Sequence, residues 1–177
     1  MTSLPRIVAV SRAAGHGFTK PNQLSIRLVE GHGVEGDAHA GATMKGEKGA
    51  IVPNTRQVHL IHRELFQELQ PKGFVFGPGA IGENLTTEGL DLLSLPLGTR
   101  LHIGESAVIE LTGLRAPCVQ VEKFQKGLIY ELARKEGGKL RIKSGVMSVV
   151  LKGGDVHPGD PISVELPEGD RRELEPV

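Results

Sequence analysis

Apolar residues recur along this chain with the two-residue period of short strands more often than with the period of helices. Glycine and proline interrupt these runs at short intervals, which favours many turns between short strands. Alternation on both sides of the Gly104, Glu105 turn predicts a hairpin. Alternation predicts strands at 24–29, 56–61, 100–103 and 109–112, and apolar or β-branched runs next to turn residues predict strands at Arg6–Ser11, 145–151 and 161–166.

Two segments carry helical spacing instead. Residues 62–69 predict a short amphipathic helix that Pro71 and Gly73 terminate. Residues 119–136 have a helical pattern interrupted at Gly127, which predicts two short helices or one broken helix. The glycine-rich segment 31–53 has no sustained period and is predicted to be a long loop.

The fold class expected from these elements is mainly β with some α. A sheet of about eight short strands usually protects its edges by closing, so a closed β-barrel with a few short helices packed outside is predicted. A chain of 177 residues is long enough for one domain, assigned to residues 1–167. The remaining residues 168–177 form a charged tail that is predicted to fray.

Composition excludes several classes of function. Lys plus Arg and Asp plus Glu are each 21, so the net charge is zero and lacks the basic excess of a nucleic-acid or membrane-surface binder. Five Phe, one Tyr and no Trp are too few for single-strand stacking platforms. No signal-peptide pattern and no apolar run of membrane-spanning length occurs, which predicts a cytoplasmic protein without membrane contact.

The single cysteine, Cys118, cannot form an internal disulfide. It lies between a predicted strand and a predicted helix, at a corner where backbone N–H groups without partners collect. Arg115 adds positive charge three residues earlier, and both features favour the thiolate that attacks sulfur or binds a metal. The alternative is a small buried hydrophobic residue, as most free cysteines are.

Three further groups of polar residues are candidates for a site. His32, Asp37 and His39 lie among glycines that allow close approach of a ligand, but their spacing matches no established metal motif, and a loop fixed by hydrogen bonds is favoured. Arg56 and Arg115 can clamp a phosphate, although most such arginines are solvated.

The sequence GENLTT, residues 82–87, combines a carboxylate, an amide and two hydroxyls that suit the polar edge of a heterocycle. Strand alternation would place Glu83, Leu85 and Thr87 on one side and Asn84 and Thr86 on the other. The alternative is a strand end capped by its own side chains.

In order and spacing, these segments resemble the MOSC domain, named for the C-terminal domain of molybdenum cofactor sulfurases. The resemblance rests on GVEGDAHAG, the arginine before QVHLI, PGAIGENLTTEGLDLLSLPLGTRLHIG, LTGLRAPC and GVMSVVLKGGDVHPGDPISV. It implies a β-barrel. It also implies that Cys118 either binds the molybdenum of a molybdopterin cofactor or carries persulfide sulfur. The remaining motif positions expected in the same cleft are Asp37, His39, Arg56, Glu83, Asn84, Thr86 and Arg115.

The resemblance leaves several functions open. In the first, Arg56 or Arg115 binds the pterin phosphate, Glu83 and Asn84 bind its ring, and the protein reduces N-hydroxylated compounds, with Asp37 or His39 as proton donor. In the second, Cys118 is a sulfur carrier. It receives persulfide sulfur from a pyridoxal-phosphate-dependent desulfurase and passes it to a small sulfur acceptor. A degenerate binding domain and a hydrolase with zinc bound by His32, Asp37 and His39 are the remaining hypotheses.

Partners follow from the same resemblance. The chain carries no desulfurase segment, so sulfur, or electrons from a redox partner, must come from another protein. Segment 41–55 is longer than the usual connection of the family and is expected to be a lid, a partner contact or disordered. The oligomeric state and the physiological substrate are not encoded in any pattern of the sequence.

Overall fold

The computed structural model describes residues 4–177, and this part of the chain is mainly β. The helices are α1 (Glu64–Leu69), α2 (Val119–Phe124) and α3 (Leu128–Leu132). The strands are β1 (Arg6–Ser11), β2 (Asn22–Gln23), β3 (Ile26–Val29), β4 (Gly33–Val34), β5 (Thr43–Lys45), β6 (Ile51–Pro53), β7 (Val58–His62), β8 (Leu85–Glu88), β9 (Arg100–Ile103), β10 (Ala107–Leu114), β11 (Ala133–Glu136), β12 (Lys139–Ile142), β13 (Val146–Lys152), β14 (Gly154–Val156) and β15 (Ile162–Glu165).

Eight of these strands form the main sheet, in the order β15-β9-β10-β13-β7-β8-β1-β2. All neighbours are antiparallel except β7 and β8, which are parallel and are joined by a crossover that contains α1. Burial alternates along β10, as its sequence predicts, and Ile109 and Leu111 face the main core. The predicted hairpin of β9 and β10 is confirmed, with Ile103 opposite Ala107.

The prediction of a closed barrel is wrong. The main sheet is open and mixed, and it ends at β15 on one side and at the two-residue β2 on the other. Between β1 and the β15 end, Arg6 and Pro161 form an isolated bridge and not a ladder. Backbone hydrogen bonds flank this bridge, among them those from the Ile7 N–H to the Asp160 carbonyl at 2.8 Å and from the Ile162 N–H to the Pro5 carbonyl at 2.9 Å, while Pro161 itself has no N–H to donate. Strands β14, β3 and β4 form a separate small sheet.

The short helices pack together in a second core beside the main sheet. Leu65 and Leu69 of α1 and Leu128 and Leu132 of α3 are fully buried there. Phe18, Phe66, Phe74, Phe76 and Phe124 surround them. The predicted helix at 62–69 is therefore confirmed.

No helix among residues 4–177 has the length and apolar character needed to cross a membrane.

The predicted break at Gly127 is also confirmed, since this glycine has a φ of 87° between α2 and α3. The expected helix nevertheless ends at Leu132, and Ala133–Glu136 is strand β11, paired with β12. Gly137 and Gly138, with φ of 58° and 79°, make the two-residue turn of this hairpin. The segment predicted as a long loop contains a further hairpin, β5 and β6, which pair only with each other.

The tail that the sequence predicts to fray is held against the main sheet. Leu174 is buried in the main core, and Leu114 bridges to Pro176. The Leu114 N–H donates to the Glu175 carbonyl at 2.8 Å, and the Val177 N–H donates back to Leu114 at 3.2 Å. The charged side chains of this segment are exposed, while its backbone forms hydrogen bonds with the end of β10.

Candidate functional site

A cleft of about 340 Å³ opens at one end of the main sheet. Strands β7 and β8 begin there, β10 ends there, and the loops 12–20 and 37–56 cover it. The parallel pairing of β7 with β8 places His59 beside Asn84 at this end. The residues that line the cleft are His16, Lys20, Ala38, His39, Ala40, Thr43, Met44, Asn54, Arg56, His59, Gly82, Asn84, Arg115 and Met147.

Asp37 lies behind the cleft wall and organises it. Its carboxylate is buried, with Oδ1 accepting from Lys20 Nζ at 3.0 Å and from the His39 N–H at 3.0 Å. Oδ2 accepts from the Ala13 N–H at 3.2 Å and from Asn84 Nδ2 at 3.1 Å. One carboxylate thereby joins two loops to the start of β8.

The electrostatics of Asp37 and Lys20 are coupled. Burial alone would raise the pKa of Asp37, but hydrogen bonds from His39 and the charge of Lys20 outweigh it and hold the pKa well below its ordinary value. Burial lowers the pKa of Lys20, and Asp37 opposes that effect. Asp37 is therefore an anion at neutral pH, and Lys20 is its ion-pair partner inside the wall.

His39 reaches from this carboxylate into the cleft. Its Nδ1 lies 3.4 Å from Asp37 Oδ1, and about half of its side chain is exposed. His16 packs edge-on against the His39 ring, with 5.8 Å between the ring centroids. Asp37 favours the tautomer of His39 with hydrogen on Nδ1, which leaves Nε2 free to exchange a proton with a ligand.

Asn54 ties the loop that covers the cleft to the sheet. Its Nδ2 donates to the carbonyls of His39 at 3.1 Å and Gly41 at 2.9 Å, and its Oδ1 accepts from the Arg56 N–H at 2.9 Å. Asn54 is almost fully buried. The β5–β6 hairpin lies directly before Asn54 in the chain, and its residues Thr43 and Met44 line the cleft.

Two arginines give the cleft its positive charge. Arg56 lies just before β7 and Arg115 just after β10, and neither pairs with a carboxylate within residues 4–177. The Nε of Arg56 is buried without a hydrogen-bond partner. Burial lowers the pKa of Arg115, Cys118 opposes this effect, and Arg56 adds to it. Two guanidinium groups without anions make the cleft suitable for a negatively charged ligand.

Cys118 lies directly before α2, so the predicted corner between strand and helix is confirmed. It lines a small recess of about 10 Å³ next to the cleft, rather than the cleft itself. His59 and Arg115 line both spaces and form the wall between them. The side chain is partly buried, and its Sγ has one weak contact, 3.9 Å to Gln120 Oε1.

His59 and Ser144 fix the wall of the recess. His59 Nε2 lies 2.7 Å from the Ser144 carbonyl, and the Ser144 hydroxyl donates to the Arg115 carbonyl. Burial lowers the pKa of His59 to about 3, so its ring is neutral at physiological pH. Gly145, with a φ of 96°, passes so close that a Cβ would overlap the Leu60 carbonyl and lie 2.8 Å from His59 Nε2.

Residues 83–87 of the GENLTT segment are buried, and the predicted alternation fails because β8 begins only at Leu85. Glu83 Oε1 instead accepts from Thr86 Oγ1 at 3.3 Å and from the Gly79 N–H at 2.6 Å. Neither Glu83 nor Thr86 lines the cleft, and burial raises the pKa of Glu83. Asn84 lines it, but its amide hydrogens are committed to Ser11 O and Asp37, and its Oδ1 to the His59 N–H.

The structure does not assemble the zinc site that His32, Asp37 and His39 would form. His32 is exposed and lines no part of the cleft, while Asp37 is already occupied by Lys20 and His39. Within residues 4–177 no group of three or more His, Cys, Asp or Glu side chains converges as metal ligands would. A hydrolase based on these three residues has no structural support.

Sequence reasoning missed four residues of the site: His16, Lys20, Asn54 and His59. Lys20 and His16 lie in an irregular segment between glycines and Pro21, where no period marks a side chain as buried. The one available signal was the alternation of β7, which puts His59 on the face opposite Val58 and Leu60.

The sequence of the chain matches a model of a known protein family. A family model described as the MOSC domain matches residues 36–163, which include all the candidate site residues named from the resemblance. No curated protein matches the chain. The MOSC family is associated with binding of the molybdenum cofactor.

Solved structures show the same fold at low sequence identity. The YuaD protein from Bacillus subtilis is 22% identical with a TM-score of 0.79, and the match covers 94% of this chain and 98% of that one. YiiM from Geobacillus stearothermophilus is 19% identical with a TM-score of 0.67, over 96% and 79% of the two chains. YiiM from Escherichia coli is 20% identical with a TM-score of 0.63, over 94% and 73%. The matched family model spans more than half of the sequence, so the chain belongs to the MOSC domain family.

Proposed function

We propose that the cleft binds a molybdenum-pterin cofactor, that Cys118 is the protein ligand of the metal, and that the protein reduces N-hydroxylated compounds with electrons from a partner. The observation that carries this proposal is the buried, unpartnered Nε of Arg56, in a cleft that also holds Arg115 without a carboxylate. A guanidinium N–H that is buried without a partner costs free energy unless a ligand accepts its hydrogen bond.

The residues present fit such a cofactor. The phosphate of a pterin cofactor is an anion with the oxygen geometry that two arginines bind well, and Arg56 and Arg115 line one wall. A cleft of about 340 Å³ is at the lower end of the range for small-molecule sites, which favours a compact cofactor. Molybdenum accepts soft sulfur ligands, and Cys118 lies behind the wall of His59 and Arg115, so its binding to a metal in the cleft requires this wall to open.

The reaction requires two electrons and two protons: R–NHOH + 2 e⁻ + 2 H⁺ gives R–NH₂ + H₂O. When bound, the cofactor supplies a redox centre that accepts the hydroxyl oxygen. His39 donates a proton from Nε2 as the imidazolium, whose Nδ1–H faces Asp37, and it takes up the next proton from solvent at the same nitrogen. Asp37 acts as a positioning residue, since its buried carboxylate does not line the cleft.

The remaining candidate residues support this arrangement from behind. Asn84 holds Asp37 and the His59 backbone, so it fixes the cleft wall. Glu83 and Thr86 hold each other and the Gly79 turn. Gly79 has a φ of 82° and its carbonyl accepts from the Lys20 N–H at 2.8 Å, so this turn places Lys20 in the wall.

A second candidate function has one observation in its favour. Cys118 is partly exposed at the start of α2 and lies outside the cleft. A sulfur carrier needs an exposed position of this kind, because a desulfurase that depends on pyridoxal phosphate must deliver persulfide sulfur directly to the thiolate. This function does not explain why two arginines without anions line the neighbouring cleft.

The test is turnover of an N-hydroxylated compound, such as benzamidoxime, by protein from a host that makes molybdenum cofactor. Reduced methyl viologen serves as donor, and the wild type is compared with Cys118→Ser and Arg56→Gln. The proposal predicts formation of benzamidine by the wild type and a loss of about 100-fold or more in each variant. No turnover by wild-type protein that contains the cofactor would overturn it, and a labile sulfur on Cys118 after incubation with a desulfurase and cysteine would favour the carrier.

A further inference from the structure

We propose that the Arg115 side chain is a gate between the cleft and the Cys118 recess, and that a phosphate group bound in the cleft opens this gate. Arg115 lines both spaces, whereas Cys118 lines the recess but not the cleft. The inference rests on one part of the proposed function, the binding of an anionic group beside Arg56 and Arg115. It adds the movement that brings Cys118 into contact with a ligand held in the cleft by that group.

His59, the other residue of the wall, is fixed. Its Nε2 lies 2.7 Å from the Ser144 carbonyl, and its backbone N–H donates to Asn84 Oδ1 at 3.2 Å. The Gly145 backbone passes so close that a Cβ on it would lie 2.8 Å from the same Nε2. His59 is also almost fully buried, so its ring has little room to turn. A wall built in this way opens at Arg115 rather than at His59.

The backbone of Arg115 is held, but its side chain has no anion to hold it. The Arg115 N–H donates to the Gly145 carbonyl at 2.9 Å, and the Arg115 carbonyl accepts from the Ser144 hydroxyl. No carboxylate pairs with the guanidinium in the part of the chain that the structure describes. Rotation about the side-chain bonds is therefore the movement available to Arg115, and it needs no change of the backbone.

Charges of opposite sign act on the Arg115 guanidinium from its two sides. Burial lowers the pKa of Arg115, the Cys118 thiolate opposes this effect from the recess, and the like charge of Arg56 adds to it from the cleft. Without a ligand, attraction by the thiolate and repulsion by Arg56 both hold Arg115 on the recess side. A phosphate group at Arg56 reverses the force from the cleft, because it attracts both guanidinium groups. Arg115 then turns toward the cleft and uncovers Cys118.

The two arginines have different parts in this response. The Nε of Arg56 is buried without a hydrogen-bond partner, so a bound phosphate gains a hydrogen bond there and breaks none. Arg115 instead exchanges the thiolate for the phosphate. Arg56 therefore sets the affinity for the anion, and Arg115 transmits its binding to Cys118. In this role Arg115 is a positioning residue.

The experiment measures the reactivity of Cys118, which is the only cysteine of the chain. The full chain, purified without cofactor, is alkylated with iodoacetamide, a small neutral reagent, over a range of inorganic phosphate concentrations at constant ionic strength. Each rate is taken on the plateau at high pH where the thiol is fully ionised, so that a change in access is separated from a change in ionisation. Calorimetry measures phosphate binding independently.

Saturating phosphate should raise the alkylation rate of the wild type about tenfold or more, because the open arrangement is a minor state without ligand. Arg56→Gln should need about tenfold more phosphate for half of this effect and should reach the same final rate. Arg115→Met should still bind phosphate through Arg56, about tenfold more weakly, but its alkylation rate should not respond. Arg115→Lys keeps the charge and should retain a response. The exposed Arg141→Met, with the same loss of charge on β12, serves as a control and should behave as the wild type.

Phosphate that binds to the wild type without a change in the alkylation rate would overturn the gate and leave the anion site in place. An equal rise of the rate in Arg115→Met would also overturn the gate, since the Arg115 side chain would then not be the moving part. Absence of phosphate binding to the wild type would overturn the anion site of the proposed function, and the gate with it.

Discussion

The ammonium of Lys20 lies 3.0 Å from Asp37 Oδ1, and 3% of the Lys20 side chain and none of the Asp37 side chain are exposed. A buried ion pair adds little net stability compared with apolar residues, but removal of one partner leaves an uncompensated charge. In this protein the pair also fixes the loop that carries His39, since the His39 N–H donates to the same oxygen. The pair therefore links the stability of the fold to the geometry of the cleft.

The Lys20→Met variant should lower the free energy of unfolding by about 3 kcal/mol, because Asp37 keeps its charge in a buried position. Urea unfolding at pH 7 measures this change. The exposed Lys152→Met serves as a control and should change stability by less than about 0.5 kcal/mol.

The double variant Lys20→Met/Asp37→Asn has no unpaired charge. Its loss of unfolding free energy should therefore be smaller than the sum of the two single losses, by about 1 kcal/mol or more. Strict additivity of the two single effects would show that Lys20 and Asp37 do not interact as the structure describes.

Stability should fall in mild acid because His59 is buried in its neutral form. The folded pKa is about 3 and the unfolded value is 6.5, so between these two the unfolded state binds the additional proton. Above pH 6.5 both states are neutral and His59 adds no pH dependence. At pH 4.5 the resulting penalty is about 3 kcal/mol relative to pH 8.

Comparison with His59→Gln isolates this contribution, because glutamine does not titrate and its amide can still donate to the Ser144 carbonyl. Denaturant unfolding of both proteins at pH 8 and pH 4.5 gives the difference. A loss of stability on acidification that is equal in the two proteins would rule out His59 as its source.

Gly145→Ala should destabilise the protein much more than Gly138→Ala. Both glycines have positive φ, 96° and 79°, so alanine is strained at either position by about 1 kcal/mol. Nothing lies within 4 Å of a Cβ at Gly138, whereas at Gly145 it overlaps the Leu60 carbonyl. The additional steric cost should exceed about 2 kcal/mol in thermal or urea unfolding, and equal costs at the two sites would contradict the packing of Gly145 against β7.

Asn54→Ala should release the loop that covers the cleft. The change removes hydrogen bonds to the His39 and Gly41 carbonyls and to the Arg56 N–H, and should cost about 1–3 kcal/mol. Amide hydrogen exchange should accelerate in residues 41–53 while the β9–β10 hairpin stays as protected as in the wild type. Unchanged exchange in 41–53 would show that other contacts hold this loop.

Much of the fold could be predicted from sequence because its signals are local. Runs of β-branched and apolar residues next to turn residues predict β1 and β13, alternation predicts the β9–β10 hairpin, and helical spacing predicts α1. The error at Ala133–Glu136 arose because these residues continue the helical spacing of α3. The turn chemistry of Gly137 and Gly138 overrides that spacing, since two positive φ values in succession close a tight hairpin.

Closure of the sheet and burial of the tail depend on contacts between distant parts of the chain. The sequence does not reveal that Pro161 meets Arg6, or that their bridge stays isolated and does not become a ladder. Leu174 is a single apolar residue among charged ones, and no period marks it as part of the core. Long-range pairing of this kind is outside what a local pattern can specify.

The candidate site was predictable only in part, because sequence reveals the chemistry of a side chain but not where the fold places it. Residues with distinctive chemistry, Cys118, Arg56, Arg115 and His39, are brought to the cleft or to its adjoining recess. Glu83 and Thr86 have equally distinctive side chains but turn inward, because β8 begins after Glu83. Lys20 was missed because a lysine in a loop is normally solvated, and only the buried Asp37 explains its position.

In the proposed function, Cys118 binds the metal of a cofactor that Arg56 and Arg115 hold. The most direct test is the molybdenum and pterin content per chain of wild type and Cys118→Ser, both purified from a host that makes the cofactor. We expect near-equal amounts of molybdenum and pterin in the wild type and a loss of about fivefold or more of the molybdenum in Cys118→Ser. Equal molybdenum in the two proteins, or neither molybdenum nor pterin in the wild type, would contradict it.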